Sequence, residues 1–221
     1  MNRIANGLSP SPRPLKWIAL LLLFVAGLWF VGNDVLYAIG RDRAGESELR
    51  TSVLLVHLVV ATPLLFIAPF QFSRRIRQHR PAWHRRLGTA YLAFALLAAL
   101  GAIHLGFTYE GAERRVPLVL FALLWVAFTI GAWICARNHA YAAHERFVVR
   151  GYGVALAFVL VRLLGEFQEP LFAFLPEKAV RDSTREWLSF VLPLLAIESW
   201  YSWWPAVQGS RRHRKVVHDA V

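Results

Sequence analysis

The sequence predicts an all-α integral membrane protein that crosses the bilayer six times and keeps both termini in the cytoplasm. Three observations lead to this fold class. Apolar residues make up 57% of the 221 residues, above the roughly 45–50% that is typical of soluble domains. These residues are concentrated in stretches of about 20, the length that crosses a bilayer. The Lys and Arg between the stretches fall mainly on one predicted side of the membrane.

The apolar stretches define six predicted spans that together form a bundle over residues 16–207. The spans lie at 16–39, 51–73, 87–108, 116–136, 147–166 and 187–207. The rest is short connections, a cytoplasmic N-terminus at 1–15 and a basic cytoplasmic tail at 208–221, so we expect one membrane domain over 1–221. The first stretch exceeds the 7–15 apolar residues of a signal peptide and no small-x-small cleavage site precedes Arg41, so we expect it to remain as a helix.

The distribution of basic residues predicts the orientation of the spans. Of the 25 Lys and Arg, 16 lie in the N-terminus, the connection between spans 2 and 3, the connection between spans 4 and 5, and the tail, and 8 lie on the opposite side. Cytoplasmic segments of membrane proteins carry such an excess. The formal net charge of +11 is therefore a topology signal. It favours contact with anionic lipid headgroups rather than with nucleic acid.

The two cytoplasmic connections share a pattern at an offset of 60 residues. Each has the form R-x-H-x-x-A-x-H-x-R, from Arg77 to Arg86 and from Arg137 to Arg146. Each copy joins an inward-running span to an outward-running one, so true copies are related by a two-fold axis along the membrane normal. We therefore predict that spans 2–5 form a four-helix core as a parallel two-fold repeat. Chance similarity is the alternative, because Arg and Ala are common in this chain.

The repeat places His84 and His144 at the cytoplasmic starts of spans 3 and 5, where they would face each other. Two imidazoles from different helices suit the axial positions of a haem iron. Arg85 and Arg150 are suited to pair with the haem propionates. We therefore predict a haem-b-binding electron-transfer protein with a quinone or another redox partner. The alternative is that both histidines are solvated residues among the lipid headgroups.

A second polar group lies in the outer halves of the predicted spans, where charges are costly unless they pair or face the bundle interior. His57 and His104 have similar predicted depths and suit a second haem or the transfer of protons to a quinone or a substrate. Arg162 and Glu166 are four residues apart and suit a pair within span 5, and Asp34 suits a pair with Arg162. A structural network that holds the helices together is the alternative.

Two further polar residues belong to this predicted buried network. Glu198 lies near the middle of span 6, where an unpaired carboxylate would stay protonated, so we expect a partner or a proton-handling role. Ser202, four residues on, lies on the same helical face and is expected to donate a hydrogen bond to it. Gln71 is fourteen residues from His57 and falls on nearly the same face of span 2.

Several of these residues in combination resemble a bacterial family of predicted membrane proteins known as domain of unknown function 2306. They are His57, the run Ala68-Pro69-Phe70-Gln71-Phe72, His84-Arg85 with Gly88 and Tyr91, His144 with Arg150 and Tyr152, Arg162 and Glu198. The likeness covers about residues 50–205. It departs from the pattern at Phe147-Val148, where such proteins tend to carry Trp-Met. The resemblance implies a multi-pass protein of the bacterial cytoplasmic membrane and no particular activity.

A more distant likeness is to the two-haem transmembrane b-type cytochromes, whose four-helix core uses paired histidines. It implies one haem between His84 and His144. Span 4 contains no histidine, so the second histidine pair of that family has no counterpart here. The competing class is a non-enzymatic membrane protein, either a small transporter or an assembly factor, in which the buried polar network is a substrate site or a packing site.

Overall fold

The computed structural model describes residues 47–109 and 111–208, together with positions 25, 27–29, 32 and 33. In these residues the chain is helical, and they contain no strand. The long helices are α1 (Glu48–Gln71), α3 (Pro81–Phe107), α4 (Ala112–Arg137), α5 (Tyr141–Glu166) and α7 (Lys178–Glu198). The short helices α2 (Arg74–His79) and α6 (Gln168–Leu171) join them, and a π-helical turn, Ser199–Trp203, continues α7. Most of the first predicted span, with Asp34, and the basic tail after residue 208 lie outside the described residues.

Four helices, α1, α3, α4 and α5, are long and apolar enough to cross a membrane. They correspond to predicted spans 2 to 5, and their most apolar segments have mean hydropathies of 1.9 to 2.4. Their outward faces carry exposed apolar side chains such as Val59, Leu97, Leu123 and Trp133. Contiguous apolar surface of this kind is rare on soluble monomers and suits contact with lipid. The prediction of an all-α membrane protein with several spanning helices is therefore confirmed.

Local sequence features explain where the helices start and stop at the inner end of the bundle. The Ser73 hydroxyl caps α2 by accepting a hydrogen bond from the Ile76 N–H at 3.5 Å. Pro81 opens α3 at the first helical position, where its missing N–H costs nothing. Between α4 and α5 the chain reverses through His139, which has a φ of 56°. The first residues of α3 and α5, Pro81 and Tyr141, keep the 60-residue offset of the sequence pattern.

The core lies where α1, α3, α4 and α5 meet, which is the four-helix core expected of spans 2–5. Its buried members from these four helices are Leu64, Ala68, Tyr91, Leu92, Ala95, Ala98, Ala99, Trp125, Ala132, Val154 and Ala155. Six of these eleven residues are alanines, and such small side chains let helix backbones approach closely. Helix α3 packs against α1 and α4, while α7 packs on the outside of the bundle against α4 and α5.

We name the two ends of this bundle by the predicted orientation. The inner end contains α2 and the turn between α4 and α5, with the arginines of the repeated pattern. The outer end contains the connection between α3 and α4 and the segment from α6 to the start of α7.

Candidate functional site

A cavity of about 800 Å³ lies in the outer half of the bundle, among α1, α3, α4, α5 and α7. Towards the middle of the helices its wall is apolar and aromatic, with Leu58, Leu65, Trp125, Val154 and Phe190. Towards the outer end the wall is polar and consists of Arg50, Tyr109, Arg114, Arg162, Glu166, Arg185 and Glu186. A volume of several hundred Å³ with an apolar floor and a few convergent polar groups is typical of small-molecule sites.

His57 lies on the wall of this cavity, and the backbone of α3 fixes its ring. Its Nδ1 lies 2.8 Å from the carbonyl oxygen of Ala98, which can only accept. In the neutral ring the proton is therefore on Nδ1 and the lone pair is on Nε2. The ring also packs against Gly101, where an added Cβ would lie 3.3 Å from the His57 Cβ. This arrangement suits a hydrogen-bond acceptor or a base.

An ionic cluster joins α4 to α7 at the outer end of the cavity. The Arg114 guanidinium donates to the Tyr109 hydroxyl and to Glu186, with its Nε at 3.1 Å from Glu186 Oε1. The same carboxylate oxygen lies 3.3 Å from Arg185 Nη2. Glu186 is only 3% exposed, so its charge is compensated by these two guanidinium groups.

Tyr109 lies in the connection between α3 and α4, beside this cluster. Burial raises the pKa of its phenol, and the neighbouring Arg114 guanidinium opposes that change in part. The Arg50 guanidinium lies 5.8 Å from the centroid of the Tyr109 ring and donates to the Thr108 hydroxyl at 2.5 Å. The phenol is therefore neutral near pH 7 and faces two cations.

The structure brings three of the predicted residues to the cavity wall, namely His57, Arg162 and Glu166. The Arg162 guanidinium lies 5.6 Å from the centroid of the Phe158 ring. His104 is not among the described residues that line the cavity. Its carbonyl oxygen accepts a hydrogen bond from the Thr108 hydroxyl at 2.8 Å.

His84 and His144 lie together at the inner end. They lie near the starts of α3 and α5, at the same end of the bundle. His144 Nδ1 lies 2.9 Å from the carbonyl oxygen of Ala132, so the lone pair of the neutral ring is on Nε2, as it is in His57. His84 Nδ1 is buried and has no hydrogen-bond partner in the described part of the chain.

Glu198 has an ionic partner that the sequence did not reveal. The Arg150 Nε lies 2.5 Å from Glu198 Oε1, and the Ser202 hydroxyl donates to Oε2 at 2.9 Å. The predicted bond from Ser202 is confirmed. The pair between Arg150 and Glu198 was missed because 48 residues separate them and nothing local shows that α5 and α7 are neighbours.

Gln71 and His57 both face α3, as their spacing on one helical face predicts. Gln71 is buried at the inner end of α1, and an added Cβ at Gly88 would lie 3.3 Å from its Oε1. It is not among the described residues of the cavity wall.

The sequence also missed most of the cavity's polar wall. These residues lie just outside the predicted spans, where charges are ordinary, so only their side of the membrane was predicted. They are Arg50, Arg114, Arg185 and Glu186. The one local signal was the close spacing of Asp182, Arg185 and Glu186, which places opposite charges on one face of a helix.

Comparison with known proteins gives one match. A family model described as Predicted membrane protein (DUF2306) matches residues 54–201. This range contains the cavity histidine, the inner histidine pair and Glu198, and it nearly equals the 50–205 over which the likeness was seen. No curated protein and no solved structure matches the chain. The more distant likeness to two-haem cytochromes stays a prediction.

Proposed function

Because the chain belongs to the DUF2306 family of predicted membrane proteins, whose description gives a location and no activity, we propose a function from the site itself. The outer cavity binds an amphipathic ligand with an acceptor-rich head group, of which a quinone is the chemical class that fits best. The observation that carries this proposal is one cavity with an apolar floor and a wall of hydrogen-bond donors.

The charges of the cavity wall support such a ligand. Four arginines and two glutamates line the described wall, so its formal charge is positive. Guanidinium groups donate and never accept, and a neutral phenol donates as well. Carbonyl or anionic oxygens of a head group match these donors, while the aromatic and aliphatic floor suits a ring or a tail.

His57 supports the quinone class in particular. Its Nε2 lone pair is the acceptor that a quinol hydroxyl needs, and the bond of Nδ1 to Ala98 holds the ring in place. A positioned imidazole is the most common general acid–base group of enzymes. A bound quinol can therefore donate a hydrogen bond from one hydroxyl to His57 Nε2, with no change in its oxidation state.

Titration of the purified full-length protein with a short-chain quinone, followed by calorimetry, tests this proposal. We expect saturable binding that His57→Gln weakens about fivefold, because one hydrogen bond is worth about 1 kcal/mol. The matched control is His139→Gln at the inner end, which is expected to leave the affinity unchanged. Absence of saturable binding, or equal losses in both variants, would contradict it. Binding of anionic amphiphiles but not quinones would favour the transporter class.

We further propose that α7 crosses the membrane and, with the first predicted span, completes six spans with cytoplasmic termini. Two contacts support this for α7. Arg114 of α4 pairs with Glu186 near the start of α7, and Arg150 of α5 pairs with Glu198 at its end. Helix α7 therefore runs along α4 and α5 from the outer end of the bundle to the inner end. Its first half is charged, which is why its hydropathy falls below that of the four apolar helices.

A reporter fused after Val221 tests this topology. A fluorescent protein that folds only in the cytoplasm is expected to be bright, and a periplasmic phosphatase fused there is expected to be inactive. An active phosphatase fusion together with a dark fluorescent fusion would instead place the tail outside the cytoplasm. A fusion after Glu177, in the connection before α7, serves as the matched control and is expected to give the reverse result.

A second candidate function, haem-b electron transfer, is favoured by the inner histidine pair. The hydrogen bond from His144 Nδ1 to the carbonyl oxygen of Ala132 fixes the orientation of the imidazole. Metal-bound histidines are commonly held by a hydrogen bond of this kind. In the described residues no group of three or more His, Cys, Asp or Glu side chains is placed to hold a metal ion. A pair of histidines suffices for haem, because the porphyrin supplies the other four ligands. Arg85 remains the proposed partner of a propionate, whereas Arg150 already pairs with Glu198.

Absorbance of protein purified from haem-replete cells tests this candidate. We expect a Soret band and an alpha band that appears on reduction, both of which are lost in His84→Ala and in His144→Ala. His79→Ala, at the same end of the bundle, is the matched control and is expected to keep both bands. A colourless but folded wild-type preparation rejects the haem and leaves the proposal for the outer cavity untouched.

A further inference from the structure

Three buried polar atoms near the inner end lack a hydrogen-bond partner in the described part of the chain. They are Gln71 Nε2, His84 Nδ1 and the Tyr91 hydroxyl. Gln71 is 7% exposed and Tyr91 is 3% exposed. Burying a polar group without a partner is unfavourable, and proteins commonly satisfy such groups with ordered water.

The three residues are arranged around one position of α3, Gly88. An added Cβ there would lie 3.3 Å from Gln71 Oε1, so the amide of Gln71 lies against the backbone of α3. His84 precedes Gly88 by four residues and Tyr91 follows it by three, which places all three on one face of the helix. The imidazole, the amide and the phenol therefore follow one another along the inner half of the bundle.

This line of polar groups continues to the floor of the outer cavity. Tyr152 of α5 packs against the buried core cluster that contains Tyr91. The Tyr152 hydroxyl donates to the carbonyl oxygen of Leu65 at 3.3 Å, and Leu65 lines the cavity. The Trp125 indole N–H, a further buried donor without a partner among the described residues, belongs to a side chain of the same floor.

We propose that this line of residues, from His84 through Gln71 and Tyr91 to Tyr152, holds a file of water molecules that carries protons between the inner aqueous face and the outer cavity. Each member supplies what a water needs: the imidazole and amide both donate and accept, and the two phenols donate one hydrogen bond and accept others. A proton that enters from the inner aqueous face passes along the waters and is released at the cavity. The inference needs neither haem nor a quinone, since it rests only on the buried polar atoms and their alignment.

Silver-ion accessibility of single cysteines tests the inference. In a Cys135→Ser background, we compare Gln71→Cys and Tyr91→Cys with the matched controls Leu64→Cys and Leu92→Cys. The controls lie on the same two helices, are also buried (Leu64 0% and Leu92 8% exposed) and create similar space in apolar surroundings. Silver ion enters water-filled paths but not lipid. It is added to vesicles that expose the inner end, and the thiols left unblocked are labelled with maleimide after denaturation.

We expect silver to block Gln71→Cys and Tyr91→Cys at least tenfold faster than the two controls. Equal rates at all four positions overturn the inference, because the bundle would then be uniformly dry or uniformly loose. Blocking of Gln71→Cys without Tyr91→Cys also overturns it, since water would stop short of the cavity. If Tyr91→Cys does not fold, Tyr152→Cys and Val159→Cys give the same comparison from α5, because Val159 is also buried (7% exposed) and is not among the described residues that line the cavity.

Discussion

The two ends of the four-helix core differ in how their buried polar groups are satisfied. At the outer end, cations and carboxylates from different helices pair with each other around an open cavity, as Arg114 and Glu186 do. At the inner end the helices pack around polar atoms that have no hydrogen-bond partner among the described residues, including Gln71 Nε2 and the Tyr91 hydroxyl. The outer arrangement is suited to a large ligand, whereas the unpartnered polar atoms of the inner end can be satisfied by molecules as small as water.

Removal of the buried carboxylate charge at the outer end is expected to have the largest effect on stability. Glu186→Gln keeps the shape of the side chain but leaves Arg114 and Arg185 facing a neutral amide. Loss of one partner from a buried ion pair costs about 3–5 kcal/mol. We expect the largest decrease in the free energy of unfolding among the variants considered, measured by denaturant titration in detergent micelles.

The matched control for that variant is Glu169→Gln, also at the outer end. The Glu169 side chain is 78% exposed and lies 3.6 Å from Arg181, so solvent screens the pair and little stability should be lost. A decrease of similar size in both variants would show that the outer cluster is not a buried, compensated network.

A smaller loss of stability is expected where a methyl group is added at a closely packed glycine. An added Cβ at Gly106, near the outer end of α3, would lie 2.9 Å from Val119 Cγ2, so the α3–α4 contact must open. At Gly151, in the inner half of α5, the nearest atom would lie 3.7 Å away. We expect Gly106→Ala to lower the free energy of unfolding by about 1–3 kcal/mol and Gly151→Ala to leave it unchanged or raise it. Thermal unfolding of both variants checks the order, and the reverse order would contradict it.

The smallest effect is expected for the exposed ion pair of the inner end. Arg77 Nη1 lies 3.9 Å from Glu145 Oε2, and both side chains are more than two-fifths exposed. Glu145→Gln is therefore expected to change the free energy of unfolding by less than about 0.5 kcal/mol. Measurement at low and high salt should give nearly equal values for wild type and variant. A loss comparable to that of Glu186→Gln would remove the distinction between the two ends.

Apolar patterning was enough to predict the helices but not their full lengths. Predicted span 3 begins at residue 87, whereas α3 begins at Pro81. The helix continues through His84, Arg85 and Arg86, because helical hydrogen bonding does not stop where the side chains become polar. The all-α class and the grouping of spans 2–5 into one core followed from span length and from the repeated connection.

The site was predictable only where a residue was unusual for its surroundings. His57, Arg162 and Glu166 are polar residues within apolar stretches, and all three line the cavity. Arg114 and Glu186 are 72 residues apart in sequence, and each lies where charges are common. Their pairing depends on which helices are neighbours, a property of the packed bundle that no local pattern carries.

Helix α7 depends on earlier helices for partners to its buried charges. Glu186 finds Arg114 of α4, and Glu198 finds Arg150 of α5, so both partners are synthesised before α7 emerges from the ribosome. A segment with carboxylates near both ends enters lipid poorly alone, because each unpaired charge opposes insertion. For an α7 that crosses the membrane as we propose, insertion is therefore expected to follow that of α4 and α5, which carry both partners of its carboxylates.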